Sequence, residues 1–280
     1  MPNIAYVNGR YLPLSRATVS VEDRGFQFGD GIYELIRTYD GRIFQLDYHL
    51  RRLRNSAEAI GLKMPYPAAR WKFILAEMNR RCGYRSAKLY IQITRGTAPR
   101  NHPFPENARP TVVLTARRLD PLPDRLVAKG AEVITVSDLR WGRCDIKSVN
   151  LLANVLARQK AKTEKVNEAL FVRDGRVTEG SSSNVFIVIN GRVCTTPTGP
   201  GILPGVTRDL VIRIAKTSGF QTVERELPVR RLFSADEVFL TGTTVEVLPV
   251  VRIDGRRIGN GKPGRITESI ARSFRRLTGG

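Results

Sequence analysis

Five dipeptides of the type Asn-Gly or Asp-Gly divide this sequence into pairs of strand-like segments. Each dipeptide lies between runs that are rich in Val, Ile, Tyr, Phe and Thr, the residues that favour β-strands. Asn, Asp and Gly tolerate the positive φ angles of a type I′ turn, which is a common two-residue hairpin connection. The pattern therefore predicts β-hairpins and largely antiparallel sheets, with turns at Asn8-Gly9, Asp40-Gly41, Asp174-Gly175, Asn190-Gly191 and Asp254-Gly255.

Helical segments interrupt these strands. Apolar residues recur at three- and four-residue steps after Asp47, which predicts a helix with Asp47 as its N-cap and Gly61 as its stop. Three more helices are predicted: around Trp71 to Cys82, from about Ser148 towards Lys165, and over residues 206–218. Blocks of hairpins with helices set between them indicate the α+β fold class, in two domains, rather than a doubly wound parallel sheet.

The stretch Leu119-Asp120-Pro121-Leu122-Pro123 interrupts the pattern of strands and helices. Two prolines so close together make a stiff, extended connection. We therefore predict a small N-terminal domain over residues 1–120 and a larger C-terminal domain over residues 121–280.

The composition limits the class of protein. The 280 residues are 41% hydrophobic and 26% charged, as in a soluble globular protein. The three cysteines, Cys82, Cys144 and Cys194, show neither a disulfide framework nor zinc-site spacing, so a reducing compartment is expected. We see no signal peptide and no apolar run of membrane-spanning length, which predicts a cytoplasmic protein without a membrane partner. The net charge of +20 keeps a nucleic-acid-binding function open.

Two segments contain residues suited to chemistry. Lys147 lies between the apolar residues Ile146 and Val149, where partial desolvation makes a neutral amine available as nucleophile or base. It can equally be an ordinary surface lysine. Glu179 ends a strand and precedes a loop of Gly, Ser and Asn over residues 180–184, which suits a polar ligand but also fits a solvated turn.

Three further segments are suited to anions. Val206 and Thr207 open a helix, and Thr243 lies in a hydroxyl-rich turn, so both segments could hold a phosphate or be an ordinary cap and turn. Arg100 and His102 are two residues apart in an extended loop, where they could bind one carboxylate together. The only two histidines, His49 and His102, have no metal-binding spacing, so no metal site is predicted.

Six segments together resemble the fold-type IV enzymes that use pyridoxal 5′-phosphate, and within them the D-amino-acid aminotransferases. The segments follow one another in the order of that family along nearly the whole chain. They are residues 23–34 (DRGFQFGDGIYE), 49–53 (HLRRL), 94–102 (TRGTAPRNH), 145–148 (DIKS), 178–184 (TEGSSSN) and 205–208 (GVTR).

The resemblance implies roles for the cofactor-binding residues, with the cofactor at the interface of the two domains. Lys147 would form a Schiff base with the cofactor aldehyde and move the proton between Cα and C4′. Glu179 would face the pyridine nitrogen and keep it protonated. The phosphate would be held by a fixed charge, hydroxyls and a helix N-terminus, from Arg52, Val206, Thr207 and Thr243. Ser182 and Ser183 would also bind the cofactor.

The resemblance also implies the substrate site. Tyr33, Arg100 and His102 would hold the α-carboxylate, with Arg100 and His102 supplied by the partner subunit of a homodimer. The expected reaction moves the amino group of D-alanine to 2-oxoglutarate by a ping-pong mechanism. Gly242 departs from related enzymes, which often have a serine before the phosphate-binding threonine.

Other activities of the same fold are the alternatives. Branched-chain L-aminotransferases typically have Gly-Glu-Asn where this chain has Ser182-Ser183-Asn184, and they lack the Arg-x-His loop. Aminodeoxychorismate lyases and R-selective amine transaminases are closer in the core, and the pair Arg100 and His102 argues against them too. Nucleic-acid binding is disfavoured because the double-arginine pairs are spread along the whole chain.

Overall fold

The computed structural model describes residues 3–279, and the chain divides into two compact units. The first unit runs to Asp120 and also contains Ile146–Asn150. The second contains Pro121–Asp145 and the chain from Leu151 onwards. The predicted domain boundary after Asp120 stays a prediction, and the short segment that carries Lys147 groups with the first unit.

The first unit is built on a six-stranded sheet with the strand order β2-β1-β6-β5-β3-β4, in which all neighbours are antiparallel. The helices α2 and α3 pack against this sheet and bury its apolar face with their own. The strands are β1 Ile4–Val7, β2 Arg10–Pro13, β3 Gly31–Tyr39, β4 Arg42–Ile43, β5 Ala87–Thr94 and β6 Thr111–Arg118; the helices are α1 Arg24–Phe28, α2 Leu46–Ala59 and α3 Ala68–Cys82.

The second unit is built on a ten-stranded sheet, with the order β12-β11-β10-β14-β15-β7-β8-β9-β13 and β16 paired to β15. Parallel pairing is confined to β11–β12, β15–β7 and β7–β8 among the described strands. The strands are β7 Ala131–Ser137, β8 Glu168–Arg173, β9 Arg176–Gly180, β10 Asn184–Ile189, β11 Arg192–Thr195, β12 Thr222–Glu224, β13 Leu227–Pro228, β14 Glu237–Gly242, β15 Glu246–Ile253 and β16 Arg256–Arg257; the helices are α4 Asp124–Lys129, α5 Leu152–Thr163, α6 Val206–Thr217, α7 Val229–Phe233 and α8 Arg265–Thr278. Among the helices of residues 3–279, none is long and apolar enough to span a membrane.

The α+β class with antiparallel-rich sheets is confirmed, and so are all five hairpins. Both residues of each predicted turn have positive φ, for example 50° at Asp40 and 78° at Gly41. Only small or Asx residues adopt this left-handed pair without strain, which explains why the dipeptides located the turns.

Two helix starts differ from the prediction. The helix α2 begins at Leu46 after an N-cap at Gln45, so Asp47 lies inside the first turn, where its carboxylate pairs with Lys72 at 2.6 Å. The helix α5 begins at Leu152 rather than at Ser148, because Ser148 and Val149 pair with the start of β3. This pairing holds the segment around Lys147 extended beside a strand of the first unit.

Candidate active site

Lys147 lies beside Tyr33 in the first unit. Its amide donates to Ser56 Oγ at 3.1 Å, and its carbonyl accepts a hydrogen bond from the Tyr33 amide at 2.9 Å. The half-buried side chain places Nζ 4.2 Å from the centre of the Tyr33 ring. The structure therefore brings together two residues that sequence reasoning selected separately, an amine and a phenol.

Arg52 and His49 both bind the buried carboxylate of Glu34, the neighbour of Tyr33 on β3. Arg52 donates to Glu34 through Nε at 2.9 Å and through Nη2 at 2.7 Å. His49 Nδ1 lies 3.1 Å from Glu34 Oε1. Sequence reasoning missed Glu34, although it lies in the quoted segment 23–34. Because its carboxylate fixes the guanidinium, Glu34 orients Arg52, which was predicted as a phosphate ligand.

The charges of this cluster are set by burial and by pairing. Burial alone would raise the pKa of Glu34, but the Arg52 guanidinium and the neighbouring His49 hold that pKa far below its usual range. Burial lowers the pKa of His49, against the opposing pull of Glu34. The cluster is therefore an ionised Glu34–Arg52 pair with a neutral imidazole at pH 7.

Arg100 and His102 lie at the surface of the first unit, on a loop that we call the carboxylate loop (residues 95–105). Phe28, the last residue of α1, supports both side chains: its ring centre is 4.5 Å from the Arg100 guanidinium carbon and 5.3 Å from the centre of the His102 ring. Arg100 also donates to the Gln27 carbonyl at 3.3 Å. The two side chains are thus presented outward from a common aromatic support.

Glu179 is buried in the second unit at the end of β9, and its carboxylate has several donors. Arg140 Nη1 donates to Oε1, while Asn184 Nδ2 and the Leu203 amide donate to Oε2, each at 3.1 Å. Arg140 is itself held by Asp138, with its Nη2 2.8 Å from Asp138 Oδ2. Burial would raise the pKa of Asp138, but Arg140 lowers it, so Asp138 faces Arg140 as an anion. Neither Arg140 nor Asn184 was predicted, since nothing local in the sequence indicates these partners.

The three serine hydroxyls of the serine loop (residues 180–183) are all hydrogen-bonded within the protein. Ser181, Ser182 and Ser183 all donate to the carboxylate of Glu168, at 3.0 Å from Ser182 and 3.4 Å from Ser183. Glu168 is 2% exposed and was missed by sequence reasoning. The loop is therefore a built feature rather than a solvated turn, and its serine hydroxyls bind a buried carboxylate in this structure.

The N-terminus of α6 and the turn after β14 lie against the same serine loop and its neighbour Asn184. Gly205 is the N-cap of α6, and a Cβ at Gly205 would overlap Oδ1 of Asn184. A Cβ at Gly242 would lie 3.4 Å from the Ser182 carbonyl oxygen and 3.2 Å from Val245 Cγ2. Glycine at both positions therefore lets the main chain of these segments approach closely. Glu179, Ser182, Ser183, Val206, Thr207 and Thr243 all belong to this one region of the second unit.

Two features of this region favour an anion. The first turn of α6 has no side-chain cap, so its amides and the partial positive charge of the helix end are directed outward from Val206 and Thr207. Thr241 Oγ1, directly before Gly242, is buried without a hydrogen-bond partner. Residues 3–279 contain no group of three or more His, Cys, Asp or Glu side chains that could hold a metal ion.

Comparisons with known proteins agree with the motifs. Residues 31–253 match the family model described as amino-transferase class IV. A D-alanine aminotransferase of Bacillus licheniformis is 43% identical over 263 residues, which cover 94% of this chain and 93% of that protein. A D-alanine aminotransferase of Staphylococcus haemolyticus is 41% identical over 270 residues, which cover 96% of this chain and 95% of that protein.

Solved structures of similar fold include branched-chain amino acid aminotransferases. The T.th. enzyme with pyridoxamine 5′-phosphate matches with a TM-score of 0.93 and 31% identity, over 99% of this chain and 94% of that chain. The enzyme of Escherichia coli matches with a TM-score of 0.89 and 26% identity, over 99% of this chain and 95% of that chain. The relatives that are similar in sequence and the structures that are similar in fold are therefore named for two different substrate classes.

Proposed function

Because this chain belongs to the amino-transferase class IV family, we propose that it is a pyridoxal 5′-phosphate-dependent transaminase of D-amino acids. D-Alanine gives up its amino group and leaves as pyruvate, and 2-oxoglutarate accepts that group and leaves as D-glutamate. The observation that carries the D-amino-acid assignment is the carboxylate loop, on which Arg100 and His102 share the Phe28 support.

The residues of the second unit fit the phosphate of this cofactor. The uncapped amides at Val206 and Thr207, the hydroxyl of Thr207 and the turn at Thr243 form a donor set that suits a dianion. The orphaned hydroxyl of Thr241 is a further donor next to that turn. Ser182 and Ser183 contribute either through their amides or by turning their hydroxyls away from Glu168. Arg52 supplies a fixed positive charge, which Glu34 orients.

When bound, the cofactor supplies an aldehyde that condenses with amino groups and a pyridine ring that takes up the electron pair left on Cα. Glu179 would accept a hydrogen bond from the pyridine nitrogen of the bound cofactor. The hydrogen bonds that Glu179 accepts from Arg140, Asn184 and Leu203 hold its carboxylate in place for that role.

Lys147 would hold the cofactor through its aldehyde, and its amine would move the proton between Cα and C4′. Its main chain is fixed by Ser56 and Tyr33, so only the flexible four-carbon stem moves. The centre of the Tyr33 ring lies 4.2 Å from Nζ, within the range of a cation–π contact.

Tyr33, Arg100 and His102 bind the substrate α-carboxylate and so decide which face of Cα presents its hydrogen to Lys147. A carboxylate between a guanidinium and an imidazole gains charge-assisted hydrogen bonds and a defined orientation. The handedness of the substrate follows from that orientation and not from the lysine.

We further propose a cytoplasmic homodimer in which Arg100 and His102 serve the partner's site. Both side chains are exposed in the single chain, as that role requires. In the second unit, Leu152, Val155 and Leu156 are exposed on one face of α5, and an apolar face of that kind is typical of an interface between subunits. The three cysteines are free, which suits a reducing compartment.

Transamination of branched-chain L-amino acids is the second candidate, favoured by the solved structures of similar fold. The same lysine, glutamate and phosphate-binding region would serve it. The two candidates differ in where the α-carboxylate is bound, and therefore in the enantiomer that loses its Cα proton.

A half-reaction separates the two candidates. Purified protein is loaded with pyridoxal 5′-phosphate and mixed with one amino acid at a time, and the absorbance band of the bound aldehyde form is followed. We expect D-alanine to bleach this band rapidly, and L-leucine and L-alanine to leave it in place. Bleaching by the L-amino acids alone would replace the proposal with the second candidate.

A further inference from the structure

The helix α1 and its flanks, residues 23–30, have entered the account so far only through Gln27 and Phe28, which contact Arg100 and His102. Arg24 of this segment is 3% exposed, yet each nitrogen of its guanidinium has a partner. Nε donates to Asp30 Oδ2 at 2.8 Å, Nη2 donates to the His102 carbonyl at 3.0 Å, and Nη1 donates to the Asn101 carbonyl. A buried guanidinium thus binds the main chain of two successive residues of the carboxylate loop.

Asp30 joins this arginine to a second one. Arg95, at the start of the carboxylate loop, donates through Nε to the same Asp30 oxygen at 2.8 Å. The other nitrogens of Arg95 bind the carbonyls of Ile60 and Gly61, and its guanidinium carbon lies 3.5 Å from the centre of the Phe104 ring. Asp30 therefore pairs with two buried arginines, and these hold the two ends and the middle of the loop.

The main chain at the start of the carboxylate loop is also constrained. Gly96 has a φ of 101°, and a Cβ there would overlap the Arg109 carbonyl oxygen. The Arg24 amide donates to the Gly96 carbonyl at 2.9 Å, so Arg24 contacts the loop through its main chain as well. A loop with exposed side chains is thus anchored by charges that are buried.

The ring of Phe28 connects the anchor to the presented side chains. Its centre lies 4.8 Å from the Arg24 guanidinium carbon, 4.5 Å from that of Arg100 and 5.3 Å from the His102 ring centre. Arg24 fixes the main chain at residues 101 and 102, and Phe28 supports the side chains of Arg100 and His102. Arg24 and Phe28 together restrict the movement of the Arg100 and His102 side chains.

We propose that Arg24 is a positioning residue for recognition of the substrate α-carboxylate, acting through the carbonyls of Asn101 and His102 with Phe28 as its aromatic support. This inference rests on the proposed function. A lysine at position 24 would keep the charge next to Asp30, but a single ammonium cannot span Asp30 and both carbonyls as the planar fork does. A displacement of about 1 Å in a positioning group can cost roughly 100-fold in rate.

The test compares Arg24→Lys and Phe28→Leu with the matched control Arg85→Lys, which alters an exposed arginine of the same unit that pairs with Asp40. We expect Arg24→Lys to raise KM for both D-alanine and 2-oxoglutarate about tenfold or more, because both carry the α-carboxylate. The dissociation constant for pyridoxal 5′-phosphate should stay within about twofold of wild type. Amide hydrogen exchange should accelerate over residues 97–104 and remain unchanged in β5.

Phe28→Leu should raise KM for the same two substrates by a smaller factor, and it carries the test if Arg24→Lys does not fold. If Arg24→Lys kept the wild-type KM for both substrates, the inference would be overturned, even if amide exchange in the carboxylate loop changed. A parallel loss of cofactor affinity and of substrate affinity would also overturn it, since that pattern marks a general structural role. If the wild-type protein itself fails to use D-amino acids, the proposed function fails. Amide hydrogen exchange over residues 97–104 in Arg24→Lys would then still show whether Arg24 anchors the carboxylate loop.

Discussion

The side-chain nitrogen of Lys147 lies 4.2 Å from the centre of the Tyr33 ring. The contact joins a residue of the segment 146–150 to a residue of β3, and it is supported by main-chain hydrogen bonds on both sides of Lys147. The amine that the proposal makes the base is therefore placed beside a phenol that the proposal assigns to the substrate carboxylate.

Replacing Lys147 by Ala should abolish transamination while leaving the fold intact, because the anchoring bonds of this residue come from its main chain. Borohydride treatment of the cofactor-loaded variant should no longer attach the cofactor to the protein. The matched control is Lys160→Ala, an exposed lysine of α5 with only a long pair to Glu164. A Lys147→Ala protein that retained turnover and the covalent attachment would mean that another lysine holds the cofactor.

Replacing Glu34 by Gln should lower the free energy of unfolding by about 3–5 kcal/mol, since it leaves the buried guanidinium of Arg52 without its counter-ion. Urea or thermal unfolding measures this change. Glu77→Gln is the control: Glu77 also pairs with arginine side chains, those of Arg80 and Arg81, but their guanidinium groups remain in contact with solvent. Equal losses in the two variants would show that burial of the Glu34–Arg52 pair is not what matters.

Acidification should destabilise the protein in two stages. The pKa of His49 is lowered in the folded state, so the unfolded state binds the extra proton first, and stability begins to fall below pH 6.5, the ordinary histidine value. The pKa of Glu34 is lowered as well, so a steeper loss follows below its ordinary value of 4.5. Thermal unfolding from pH 8 to pH 4 measures both stages.

The first stage can be assigned by a variant. In His49→Gln, which can still hydrogen-bond Glu34, the fall in stability between pH 6.5 and 4.5 should be reduced. A wild-type protein that grew more stable over this range on acidification would contradict the neutral state of His49.

Much of the fold was predictable from the sequence because it is encoded locally. The turn at Asp40-Gly41 needs two residues with positive φ, and that need is visible in a dipeptide. The predicted start of α5 at Ser148 was wrong because Ser148 pairs with Ile32, more than a hundred residues away. That tertiary pairing outweighs the local helix preference. For the same reason the parallel pairing of β7 with β8 and β15 was not foreseen.

The site residues likewise divide into those that the sequence could predict and those that it could not. Lys147, Glu179 and Thr207 could be selected because they lie in motifs of characteristic composition. Arg140 and Glu168 could not, since each acts through partners that are distant in sequence, Glu179 for Arg140 and the serine loop for Glu168.

The large arginine surplus also gains a partial explanation from the structure. Arg24, Arg95 and Arg140 are buried and paired with carboxylates, so they stabilise loops and fix the site instead of forming a surface for nucleic acid. That arrangement became visible only with the fold.

The central claim is the handedness of the substrate, and initial rates with the two enantiomers of alanine test it most directly. Purified protein, loaded with pyridoxal 5′-phosphate and supplied with 2-oxoglutarate, is given either D-alanine or L-alanine, and pyruvate is measured together with the configuration of the glutamate formed. The account predicts pyruvate and D-glutamate from D-alanine, and no pyruvate above background from L-alanine. Pyruvate and L-glutamate from L-alanine alone would contradict it.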